Sequence, residues 1–156
     1  MSEAYEEIVN GETLLRSPPD LRHELVCERL HSVVARGVSR AVTSRLLPPR
    51  SIVQIAPGTF VRPDLALVTA ANSRLWLVAE IIDAKDHGTD TVIKKAIYEK
   101  LNLPRLWMVD PRYDNVEVYH SSPYGLALRG ILACREVLQE ALLPSFEISM
   151  QALFES

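Results

Sequence analysis

Two carboxylates in this chain lie where water cannot easily satisfy them. Glu80 sits inside Leu75-Trp76-Leu77-Val78-Ala79-Glu80-Ile81-Ile82, where every neighbour is apolar. Burying a lone carboxylate costs several kcal/mol or forces it to protonate, so this run predicts a cation, a metal or strong donors beside it. Asp64 begins a second apolar run, Asp64-Leu65-Ala66-Leu67-Val68, directly after Arg62-Pro63. The proline keeps the backbone extended without donating to a ladder, which suits a sheet edge or the start of a strand. Two carboxylates on adjoining strands would supply the hard oxygen ligands that Mg²⁺ prefers. All four lysines, Lys85, Lys94, Lys95 and Lys100, fall within sixteen consecutive positions just after Glu80, and thirteen arginines supply the other basic charge. An amine following a candidate metal ligand can steady a phosphate or an attacking water. The ordinary alternative is a solvated helix surface, because Asp90 with Lys94 and Lys95 with Glu99 are spaced i, i+4.

The elements that must position these groups follow from the hydrophobic pattern. Tyr5–Val9 and Thr13–Arg16 flank Asn10-Gly11, the dipeptide suited to a two-residue hairpin turn, so a β-hairpin is expected at the start. Asp20, or Ser17 with Pro18 after it, can cap a helix whose stripe is Leu21, Leu25, Val26, Leu30, Val33, Val34, Val38, Ala41 and Val42. Ile52–Ile55, Asp64–Thr69 and Leu75–Ile82 read as strands. Thr89 or Asp90 opens a second helix with Ile93, Ala96, Ile97 and Leu101 as its buried face, stopped before Pro104. Arg105–Val109, Val116–His120 and Ile131–Val137 read as further strands. Ile148–Phe154 fits either a last helical turn or a loop. The sum is an α/β fold: a central mixed sheet flanked by helices, with an N-terminal hairpin.

Composition narrows the class. The chain has 156 residues, 47% hydrophobic and 24% charged, with a formal net charge of -3, which fits residues 1–156 as one domain. Its longest uncharged apolar stretch, Leu75–Ala79, is far short of the ~20 residues of a membrane helix. The acidic N-terminus lacks a signal core, and Cys27 and Cys134 are too few for a disulfide framework, so a cytoplasmic protein is expected. The slightly negative charge argues against an indiscriminate nucleic-acid coat and permits a local basic site.

Several fragments, in shared order and spacing, carry a resemblance. They are Tyr5…Asn10-Gly11-Glu12, Ser17-Pro18-Pro19…His23, Arg62-Pro63-Asp64, Val78-Ala79-Glu80-Ile81, Asp90…Lys94…Tyr98, Leu106-Trp107-Met108-Val109-Asp110-Pro111 and Val116-Glu117-Val118-Tyr119. Together, from about Tyr5 to Phe154, they resemble the small bacterial putative restriction endonuclease family of the PD-(D/E)xK nuclease superfamily. The resemblance implies a restriction-endonuclease-like core and a Mg²⁺- or Mn²⁺-dependent endonuclease acting on DNA. Asp64 and Glu80 match the acidic ligands, and the Ile81 carbonyl is a third oxygen. The superfamily lysine two residues after the acid is replaced here by Ile82. In this family a lysine on the following helix takes its place, and Lys94 matches it, four residues before Tyr98. Relatives carry a Ser-Pro pair soon after the acid, whereas this chain reads Asp83-Ala84-Lys85-Asp86, which makes Lys85 a rival amine. His23 matches a family histidine and is a supporting candidate, as are Glu24, Asp90 and Tyr98. The alternative is an inactive nuclease-fold protein that binds nucleic acid or a protein partner. A homodimer fits either reading.

Other signals have plainer explanations. His23, Cys27 and His31 recur every fourth residue, a zinc-like spacing with no second ligand cluster to complete it. Trp76 and Trp107 lie in apolar strands and read as core, and Asp110 before Pro111 reads as a turn cap. Arg45, Arg50, Arg105 and Arg112 are candidates for backbone contacts to DNA or for solvated surface charge.

Overall fold

A computed structural model describes residues 3–40, 42–83, 85 and 88–156, with the backbone alone at 89 and 90. The expected hairpin opens the chain: β1 (Tyr5–Val9) and β2 (Glu12–Arg16) pair antiparallel from Tyr5↔Arg16 to Val9↔Glu12. Asn10 and Gly11 turn it with positive φ angles of 51° and 81°, the conformation such a two-residue turn demands. A second hairpin, β4 (Val53–Ala56) and β5 (Thr59–Val61), turns at Pro57-Gly58. Pairing of β1 with β5 completes a small sheet ordered β2-β1-β5-β4. The short β5 is an addition to the expected strands, since three residues are too few to display an alternation.

Helix α1 (Leu21–Arg40) starts where Asp20 Oδ1 accepts the His23 N–H at 2.8 Å, the predicted cap. It ends short of the expected Val42, and the chain turns into β3 (Ser44–Leu46). The large sheet adds β6 (Leu65–Thr69), β7 (Leu75–Ile81), β8 (Arg105–Asp110), β9 (Asn115–Ser122) and β10 (Gly125–Leu132), in the order β10-β9-β8-β7-β6-β3. Among the described residues only β7 and β8 pair in parallel, so the sheet is mixed and that junction needs a crossover. A π-helical turn, Thr89–Lys94, running into α2 (Lys95–Lys100), provides it. The expected strand Ile131–Val137 is instead the end of β10 and the first residue of β11 (Val137–Glu140), separated by a turn with Cys134 at φ 57°. β11 pairs with β12 (Leu143–Ser149), and α3 (Met150–Phe154) resolves the ambiguous tail as helix.

The large sheet buries apolar side chains on both faces. Val26, Leu30 and Val34 of α1 pack with Leu65, Leu67, Leu77, Ala79 and Ile81 on one face, where Trp107 stacks on Phe146 at 5.3 Å. Gly37 allows α1 to lie against β12, since a Cβ there would meet Phe146 Cβ at 3.1 Å. Val61, Val78, Leu106 and Met108 cluster with Tyr98 on the other face.

The crossover helix does not present its expected face. Ile93 and Ala96 are exposed, and Ile97 and Leu101 are half-buried. Lys94 and Tyr98 are turned inward instead, each at 0% exposure. A π-helical turn advances side chains by a different angle from an α-helix, so an α-periodic reading through residues 89–94 assigns the wrong face. The displaced stripe lines an open, mostly apolar depression of about 400 Å³ with Val9 and Ile55.

Candidate functional site

The antiparallel pairing of β6 with β7 begins at Leu65↔Ala79, and Asp64 and Glu80 each flank that pair. The two acids therefore occupy neighbouring strand positions although 16 residues of sequence separate them. Both are buried, at 2% exposure each. Their surroundings differ.

Glu80 faces α2. Its Oε1 accepts hydrogen bonds from Lys94 Nζ at 3.0 Å and from the Tyr98 hydroxyl at 2.6 Å. Lys94 and Tyr98 are one α-helical turn apart and point to one side, so a single helix face delivers both donors. Lys94 Nζ also lies 2.7 Å from Glu7 Oε2. Glu7, on β1, accepts from Arg16 NH1 through Oε1 at 2.7 Å and from the Arg62 N–H through Oε2 at 2.7 Å. The result is a buried chain, Arg16–Glu7–Lys94–Glu80–Tyr98, in which charges alternate. Burial alone would lower Lys94, yet Glu80 and Glu7 outweigh it and hold the amine above its ordinary value. Burial, and then Glu80, raises the Tyr98 phenol well above its ordinary value, so it stays a donor.

Asp64 faces α1 and the loop after β3. Its Oδ2 accepts the Ile81 N–H at 2.8 Å, and its Oδ1 lies 3.4 Å from Arg50 NH1 and 3.5 Å from His23 Nε2. Burial would raise this carboxyl, but His23, the Ile81 amide and Lys94 outweigh it and keep it ionised below the usual carboxylate range. The effect of Lys94 on Asp64 joins the two halves into one electrostatic site. The Asp64 carbonyl is held as well, accepting from His31 Nε2 at 2.6 Å, with Cys27 Sγ at 3.7 Å. The zinc-like spacing on α1 therefore fixes the backbone of an acid. Among the described residues no three His, Cys, Asp or Glu side chains are grouped to hold a metal.

His23 Nε2 donates to the Ile81 carbonyl at 3.0 Å, and Nδ1 lies 3.5 Å from Glu24 Oε1. Burial opposes a charged ring, but the hydrogen bond and charge of Asp64, followed by Glu24, push His23 up to about 9. Arg50 NH2 reaches Glu24 Oε2 at 2.9 Å, so Arg50 spans the two acids. Arg50 occupies the turn Pro48-Pro49-Arg50-Ser51, with φ 58° at a position where glycine is the usual occupant. A side chain there costs about 1 kcal/mol.

Of the residues singled out in the sequence, Asp64, Glu80, Lys94, Tyr98, His23, Glu24 and the Ile81 carbonyl all lie in this connected arrangement. Lys85 is exposed, with its backbone N–H donating to Asp83 Oδ1 at 2.8 Å. The Asp90 side chain and residues 84 and 86 lie outside the described parts. Arg45, Arg105 and Arg112 are engaged elsewhere, with Ser73, Glu140 and Asp110, and only Arg50 enters the site. Asp110 accepts the Arg112 N–H at 3.0 Å, the expected turn cap. Trp107 is fully buried and Trp76 nearly so. Sequence reasoning missed Glu7 and Arg16. The available signal was a period-2 alternation that sets Glu7 on the face opposite Glu6, too weak to mark it in a short hairpin strand.

Comparison with known proteins bears on the fold and the family. A solved structure described as a putative nuclease belonging to DUF820, from Anabaena variabilis, superposes with a TM-score of 0.77 at 14% sequence identity, covering 96% of this chain and 89% of the other. That likeness establishes a shared fold. No curated protein matches. A family model for Uma2, described as a putative restriction endonuclease, matches residues 2–151, and the chain belongs to that family.

Proposed function

We propose that this chain is a Mg²⁺- or Mn²⁺-dependent endonuclease that hydrolyses phosphodiester bonds in DNA. The observation that carries the reading is the placement of two buried acids, Asp64 and Glu80, on neighbouring strands with a buried ammonium against Glu80. The donor set suits a hard cation, since two carboxylates and the Ile81 carbonyl are oxygen ligands, and Mg²⁺ commonly takes one or two carboxylates while keeping its waters. Asp64 Oδ1 and Oδ2, Glu80 Oε1 and the Ile81 carbonyl are each met by a cation or a hydrogen-bond donor, as buried anions and carbonyls require. A divalent ion held by Asp64, Glu80 and the Ile81 carbonyl would supply Lewis-acid charge to the phosphate and lower the cost of deprotonating the attacking water.

The chain's own residues do the rest. Asp64 stays ionised at neutral pH, ready to accept a cation without first losing a proton. Glu7 retains Lys94 when Glu80 is engaged elsewhere, so the ammonium keeps its place and offsets the negative charge that grows in the transition state. Tyr98 and His23 hold Glu80 and the Ile81 carbonyl in position.

A plasmid-nicking assay with EDTA, Mg²⁺ and Mn²⁺ tests the reading. Wild type should nick only with metal, and Asp64→Ala, Glu80→Ala and Lys94→Ala should each abolish nicking. Absence of metal-dependent cutting under every condition would overturn it. Retained, salt-sensitive DNA binding in that case selects the inactive nuclease-fold alternative. Ile82, a buried apolar residue where the superfamily carries its lysine, favours that alternative.

A further inference from the structure

The acids of the site already have cationic partners. Glu7 and Glu80 meet Arg16 and Lys94, while Glu24 and Asp64 share Arg50. A divalent cation that binds Asp64 Oδ1 competes with the cation already beside it. Lys94 has 0% side-chain exposure and is gripped by Glu7, and His23, in the first turn of α1, is at 5%. Arg50 is different: its side chain is 19% exposed and its contact with Asp64 is a loose 3.4 Å. Its backbone is nevertheless fastened beside Asp64, because Arg50 N–H donates to the Pro63 carbonyl at 3.0 Å and Arg62 NH1 donates to the Arg50 carbonyl at 3.2 Å. The left-handed turn fixes the root of the side chain, and the guanidinium alone is free to move. It has somewhere to go, since Arg50 lines an open depression of about 670 Å³ with Tyr5, Pro49 and Arg62, which Glu3 and Glu6 also border.

We propose that Arg50 is an exchangeable cation: its guanidinium holds Glu24 and Asp64 while the site is empty, yields to a divalent ion, and then grips the phosphate of the bound strand. This rests on the nuclease reading above and adds the residue that couples metal entry to substrate contact. Guanidinium suits both tasks, because its planar fork matches a carboxylate and a phosphate equally well.

The two roles pull measurements in opposite directions. Calorimetric titration of the full chain with Mn²⁺ alone should show Arg50→Ala binding about threefold to tenfold more tightly than wild type, the scale of two part-exposed ion pairs. The same variant, at saturating Mn²⁺, should nick plasmid about a hundredfold more slowly. Arg50→Lys, which keeps a charge but loses the fork, should fall between the two in both assays, and it serves if the alanine variant folds poorly. Unchanged or weaker Mn²⁺ affinity in Arg50→Ala, or undiminished nicking at saturating metal, overturns the proposal while metal-dependent cutting by wild type leaves the nuclease reading standing. Failure of both wild type and variant to bind Mn²⁺ overturns the two together.

Discussion

The two halves of the site solve one problem in different ways. On the Glu80 side, a carboxylate is neutralised by an amine and a phenol from one helix face, and that amine is shared with Glu7 of a different sheet. Glu7, Glu80, Lys94 and Tyr98 are all buried. On the Asp64 side, the carboxylate is neutralised by a backbone N–H, a titrating histidine and an arginine on a rim loop. The first half is closed and the second has a partly exposed partner in Arg50. The proposed admission of an ion beside a fixed charge draws on both.

Removing the cation from each side should expose the contrast. Lys94→Met leaves Glu7 and Glu80 buried without their shared partner, and should cost about 3–5 kcal/mol in urea unfolding. Adding Glu80→Gln to that variant should recover part of the loss. If Lys94→Met is nearly neutral, the closed half is not held by charge. Tyr98→Phe removes a buried hydrogen bond to a carboxylate and should cost about 1.5–3 kcal/mol with little change in overall packing.

The open half should respond to pH. His23 is raised to about 9 from 6.5. A raised folded-state value means that protonation favours the folded form. The stabilisation is therefore complete below about 6.5 and is lost as pH rises through about 9, a change on the order of 3 kcal/mol. Melts across that window should fall for wild type and stay flatter for His23→Gln; parallel slopes would assign the loss to another group. The smallest effect belongs to Arg50→Ala, which should change stability by under about 1 kcal/mol, as expected for a partly exposed pair. A loss as large as that of Lys94→Met would erase the distinction between the halves.

The acids were legible because charge inside an apolar run is conspicuous, and the two runs that carry them form adjacent strands. Lys94 was reached through resemblance. Its own periodicity pointed outward, because a π-helical turn breaks the α-helical count just before it. Glu7 escaped notice because its partner lies 87 positions away, in a hairpin whose charged residues look like solvated surface. The short β3 and β5 escaped for lack of length, and the β10–β11 boundary was hidden by a continuous scatter of aliphatic residues. Local chemistry showed through, whereas contacts between separate sheets did not.

Lys94 also fastens two layers of the molecule, with Glu7 in the small sheet and Glu80 in the large one. A chain cut or stalled before those layers meet has no ammonium seated beside Glu80. The arrangement of Glu7, Lys94 and Glu80 is thus completed only when both sheets have come together.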